Sequence, residues 1–98
     1  KQRTTTEVFS KNYAKNVEDD GKTRADDPLF KDINGTYWGI IDMSAYENRQ
    51  RSTYERTYLT RFSNRFLMVH LYYSANRRAE LQDMVQVIEN SLKVTSKI

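Results

Sequence analysis

Between residues 36 and 92 the apolar positions change period once, and that change predicts the architecture. Residues 36 to about 46 alternate, with Tyr37, Gly39, Ile41, Met43 and Ala45 on one side and Trp38, Ile40, Asp42, Ser44 and Tyr46 on the other. A period of two marks a strand. A second strand, about 53–62, sets Tyr54, Tyr58 and Phe62 with Arg56 and Thr60 on one face, and Glu55, Thr57, Leu59 and Arg61 on the other. A third, 65–73, is apolar on both faces: Leu67, Val69, Leu71 and Tyr73 against Phe66, Met68, His70 and Tyr72. Two apolar faces predict a central strand covered on both sides. Leu29, Phe30 and Ile33 form the shortest run, predicted to be the most peripheral strand. After Ser74 the period becomes helical. Leu81, Met84, Val85, Ile88 and Leu92 form one stripe to pack on the sheet, with Arg77, Arg78, Gln82, Gln86 and Glu89 facing away and Ser74 or Asn76 as cap.

The connections carry their own signals. Asn34-Gly35 between apolar runs predicts a two-residue hairpin turn, because both residues accept positive φ cheaply. Ser63-Asn64 joins the second and third strands, and residues 47–52 read as a charged surface turn. Thr4-Thr5-Thr6-Glu7 fits a capping box opening a helix over about 5–18, with Val8, Phe9, Tyr13 and Val17 at helical spacing and Gly21 as its stop. Residues 21–28 read as a polar loop closed by Pro28, which forces Asp27 out of the α region. The predicted order is α-β-β-β-β-α. This is an α+β fold, an antiparallel sheet of about four strands packed by two helices.

Ninety-eight residues bound this to a single small domain with a thin margin of stability. Hydrophobic content is 38%, but seven Tyr, four Phe and one Trp supply large buried areas and argue for a folded chain. There is no cysteine, which removes disulfides, thiolate nucleophiles and Cys-ligated metals. No run has the ~18 apolar residues of a membrane helix. The chain starts at Lys1, without Met, and carries polar Thr95-Ser96-Lys97 near its end, as expected of a processed chain or an excised domain.

Candidate chemistry is sparse. His70 is the sole histidine and reads as a structural side chain on the sheet, so zinc sites and Ser-His or Cys-His catalysis are not expected. Asp19-Asp20 and Asp26-Asp27 lack the alternating oxygen ligands of a calcium loop and read as solvated charge. Asn34-Gly35-Thr36 is a formal glycosylation sequon whose Asn-Gly is already explained by the turn. Three glycines cannot build a phosphate loop. Neither a metal nor a cofactor is expected.

The net charge of +3 comes wholly from residues 36–98, and five arginines fall between 49 and 65. Arg49, Arg51, Arg56, Tyr58, Arg61 and Arg65 are therefore the candidate binding residues. Aromatic rings beside arginines on a sheet can stack bases and hold phosphates. Against this, a nucleic-acid domain is usually more basic, and Tyr rings on a small sheet more often wall a core.

At Ile33-Asn34-Gly35, Glu55-Arg56-Thr57-Tyr58-Leu59, Phe66-Leu67-Met68-Val69 and Ile88-Glu89-Asn90-Ser91-Leu92 the chain resembles the PsbP-like superfamily, over most of residues 5–94. That group includes the photosystem II extrinsic protein, a nuclear-import factor that binds the GTPase Ran, and small bacterial envelope proteins. Its usual opening β-hairpin has no counterpart here. The resemblance implies an α/β/α sandwich with a binding or assembly role and no catalysis. The expectation is a non-enzymatic module with a protein partner or a homo-oligomeric state, in a bacterial envelope or periplasm. Single-stranded nucleic acid is the alternative ligand.

Overall fold

The computed structural model describes residues 2–17, 23–47 and 50–94, apart from the side chains of Gln2, Glu47, Arg51, Ala75, Arg78 and Leu81. Its elements are α1 (Gln2–Val17), β1 (Thr23–Ala25), β2 (Leu29–Ile33), β3 (Thr36–Glu47), β4 (Gln50–Phe62), β5 (Arg65–Ser74), a 3-10 turn (Ala75–Arg77) and α2 (Arg78–Ser91). The α+β class is as the periodicity predicts. The antiparallel sheet has five strands rather than about four.

The added strand is β1, which pairs Thr23 with Ala45 and Ala25 with Met43. Three residues are too few to show a period, so residues 21–28 read as loop. β1 and β2 lie end to end along the same edge of β3, parted by Asp26-Asp27-Pro28. The β2–β3 turn forms as expected, with positive φ at both Asn34 (51°) and Gly35 (86°). β3 and β4 pair out to Glu47 and Gln50, so residues 47–52 are mostly strand rather than a charged turn.

The strand order β1-β3-β4-β5 corrects the sequence reading of residues 65–73. β5 is an edge strand, and none of its residues is fully buried. The reason is connectivity: consecutive hairpins lay β3, β4 and β5 side by side, leaving the last at the margin. Two apolar faces report that both layers reach over β5, not that strands flank it. The central pair is β3 and β4, whose Trp38, Ile40, Ile41, Met43, Thr57, Tyr58, Leu59 and Thr60 are all buried. β4 looks polar in sequence but can be central because its polar groups find partners. The Thr60 hydroxyl donates to the Tyr37 carbonyl at 2.7 Å, for example.

Each face of the sheet carries a helix. α1 lies on the face of Ile41 and Met43, packing Tyr13, Ala14 and Val17 there and stacking Phe9 on Phe66 at 3.8 Å. The helix already runs at Gln2, so Thr4 lies inside it and the capping box does not form. Thr4 is exposed, and its neighbours Thr6 and Glu7 bond to the sheet instead. Buried Thr6 accepts the Arg61 amide at 3.0 Å, and Glu7 accepts the Tyr37 hydroxyl at 2.6 Å. Gly21, the expected stop, lies outside the described residues.

On the other face Ile33, Trp38, Ile40 and Tyr58 form the core, joined by Leu67, Val69, Leu71, Leu92 and Val94. Trp38 and Tyr58 meet edge to face at 6.4 Å, a favoured aromatic geometry. α2 begins after Arg77, with no side-chain cap; Ser74 instead donates to Asn76 at 2.7 Å. Asn34 closes the other end of α2, its amide donating to the carbonyls of Leu92 (2.7 Å) and Asn90 (3.3 Å). One side chain thus shapes the hairpin turn and satisfies carbonyls that a helix end leaves orphaned.

Candidate functional site

The predicted apolar stripe of α2 is turned from its expected seat. Val85, Ile88 and Leu92 are half-buried, but Met84 is 54% exposed and Leu81 lies outside the described side chains. Glu89, assigned to the outward face by periodicity, points inward and is 8% exposed. A buried carboxylate persists only when it is paired and hydrogen-bonded. Glu89 Oε2 accepts the Tyr58 hydroxyl at 2.6 Å and Arg56 Nη1 at 3.2 Å, and its Oε1 pairs with Lys31. Arg56 also grips Asp42 with Nε and Nη2, at 2.7 and 3.0 Å.

Burial alone would push the Glu89 carboxyl up, yet Lys31, Tyr58 and Arg56 outweigh it and hold the group below its ordinary value. Burial and then the Glu89 bond push the Tyr58 hydroxyl far up, so it donates and does not ionise at neutral pH. Burial disfavours the Arg56 charge, but Asp42 and Tyr58 more than restore it. This is a closed set of charges tying α2 to the middle of the sheet.

The six candidate binding residues do not gather on one surface. Arg56 and Tyr58 are committed to this cluster beneath α2, and Tyr58 is fully buried. Arg61 lies on the α1 face, its guanidinium 5.2 Å from the Phe66 ring centre and its Nε donating to the Ser63 carbonyl at 2.7 Å. Arg65 is exposed beside the β4–β5 turn. Arg49 and the side chain of Arg51 lie outside the described residues.

A second polar group sits on the α1 face near the β5 edge. Thr57 donates to Glu55 Oε2 at 2.8 Å, and His70 Nδ1 lies 2.9 Å from the Thr57 hydroxyl and 3.2 Å from Glu55. With its proton given to Glu55, Thr57 is left to accept from His70. Burial and then the Glu55 charge raise the Tyr13 hydroxyl, and Glu55 likewise raises that of Tyr72. Thr57 is fully buried, so this constellation presents no activated nucleophile. Among the described residues no group of three or more His, Asp or Glu side chains is placed to hold a metal ion.

Comparison with known protein families, curated proteins and solved structures finds no match. The site therefore rests on its own geometry.

The features sequence reasoning missed are the role of Glu89 and the exposed apolar side chains around α2 and the end of β5. Tyr72, Met84 and Val87 stand 67%, 54% and 64% exposed. Tyr72 and Met84 line a groove of about 340 Å³ with Tyr73, Ser74, Arg77 and Glu80, between the end of β5 and the start of α2. A signal for Glu89 was present: Arg56 and Tyr58 share a strand face and need an acidic partner once buried. No helix is long and apolar enough to cross a membrane among the described residues.

Proposed function

We propose that the chain is a non-enzymatic binding or assembly module whose partner is a protein. One observation carries this reading. The arginine and tyrosine side chains best suited to chemistry are spent on internal bonds, while large apolar side chains at Tyr72, Met84 and Val87 stand in solvent. Isolated exposed apolar residues are ordinary. Among the five large apolar side chains exposed in the described residues, which also include Val8 and Leu29, Tyr72 and Met84 line one groove, the arrangement of a contact surface. The PsbP-like resemblance supports the same role and is the ground for placing it in a bacterial envelope.

The nucleic-acid alternative needs Tyr58 as a stacking platform, and its burial weighs against that. A labelled single-stranded oligonucleotide titrated at physiological salt is expected to show no binding. Submicromolar binding that weakens with a log–log salt slope of roughly −0.7 per phosphate, and that is lost on replacing Arg61 and Arg65, would overturn the module reading.

A further inference from the structure

The two edges of the sheet are built differently. One is made of β1 and β2, three and five residues long, interrupted by Asp26-Asp27-Pro28 and carrying Lys31 and Asp32. Short strands, proline and charge are the devices that keep a sheet edge from pairing with another chain. The other edge is β5, ten residues long. β5 pairs with β4 in one unbroken register from Thr53↔Ser74 to Phe62↔Arg65, and among the described residues no strand pairs with its outer side. It contains no Pro, Lys, Asp or Glu and no register shift; Arg65 at its first position and His70 are its only ionisable bases. It carries Leu67/Val69/Leu71 towards α2 and Phe66/Met68/Tyr72 towards α1, the latter row interrupted by His70, with no member fully buried.

We propose that β5 pairs antiparallel with β5 of a second copy about a two-fold axis near Val69, joining two sheets into one. This rests on the module reading and names its partner. Self-complementarity selects a second copy over an unrelated strand. Residues opposite one another in an antiparallel pair share a face, so Leu67 meets Leu71 of the second copy while Phe66 meets its Tyr72. The row towards α2 is apolar throughout, and on the α1 side the only polar member, His70, falls opposite Met68 of the second copy. The two Arg65 side chains fall at opposite ends of the interface, so like charges do not meet.

The size also suffices. Ten residues at ~3.3–3.4 Å give an edge of roughly 33 Å. With the 21 Å smallest dimension of the molecule, the footprint is roughly 700 Å² per copy, or about 1,400 Å² in all, within the ~1,200–2,000 Å² of stable interfaces.

Light scattering on the size-fractionated chain at high micromolar concentration should give twice the 11.6 kDa chain mass. His70→Lys keeps a hydrogen-bond donor beside Glu55 but sets two ammonium groups beside the axis. It should yield a monomer whose Trp38 fluorescence matches the wild type, whereas Leu29→Lys on the opposite edge should stay dimeric. Because the chain has no cysteine, Val69→Cys gives an independent readout: it should cross-link on oxidation and Lys31→Cys should not. A monomeric wild type, a dimer split by Leu29→Lys but not by His70→Lys, or cross-linking at position 31 alone would each overturn the β5 pairing. Such a failure touches only the second copy, since the oligonucleotide titration tests the module reading separately.

Discussion

Replacing Glu89 by Ala is expected to lower the unfolding free energy by about 3–5 kcal/mol, the usual cost of removing one partner from a buried ionic set. The loss is not that of one bond. Half-buried Arg56 would lose one of its two carboxylates, and the Tyr58 hydroxyl would lose its acceptor inside the core. Glu89→Gln keeps the shape and an acceptor and should cost less. Denaturant titration followed by Trp38 fluorescence reads both, since this single tryptophan is 1% exposed and touches Tyr58. Equal, small losses for the two variants would dissolve the case for the cluster.

The same carboxylate gives a pH dependence of definite sign. The folded state holds Glu89 below the ordinary value of 4.5, so its ionised form is favoured by folding. Its stabilisation is fully present above that value and is lost as pH falls through the depressed folded one. Stability measured against pH should fall on the acid side of the carboxylate range, less steeply in Glu89→Gln.

The second large effect is expected at Gly39, in the middle of β3 beneath α1. A Cβ built there would overlap Ser10 Oγ and come within 3.0 Å of Ser10 Cβ and 3.2 Å of the Phe30 ring. A strand interior normally gains from a residue larger than glycine, but here α1 must lift to admit one. Gly39→Ala should cost about 1–3 kcal/mol and Gly39→Val more than that. Ser10 Oγ is buried without a hydrogen-bond partner, so Ser10→Ala should be nearly neutral and should reduce the cost of Gly39→Ala. Additivity of the two changes would show that α1 does not sit on Gly39.

The elements were legible where a local signal decided them. Period two in 36–46 and 53–62, Asn34-Gly35, and the helical spacing after Ser74 each depend on neighbours in the chain. What was hidden depends on pairing. β1 is too short to carry a period, and the edge position of β5 follows from hairpin order rather than from its apolar content. The turn of α2 is set by Glu89 reaching Tyr58, Arg56 and Lys31, residues 31 to 58 positions away in sequence. Arg56 and Tyr58 share a strand face in the sequence pattern, but composition cannot tell a buried ionic set from an exposed one.

α2 is fastened unevenly. Near its C-terminal end Asn34 holds the carbonyls of Asn90 and Leu92 and Glu89 is locked into the sheet, while nearer its start Met84 is exposed and no side chain caps the first turn. A helix pinned at one end opens from the other. Amide exchange should therefore be graded along α2, fast near residues 80–84 and slow near 88–91. The start of this helix would lift away from Tyr73 many times for each global unfolding, widening the groove while the core under Glu89 stays shut.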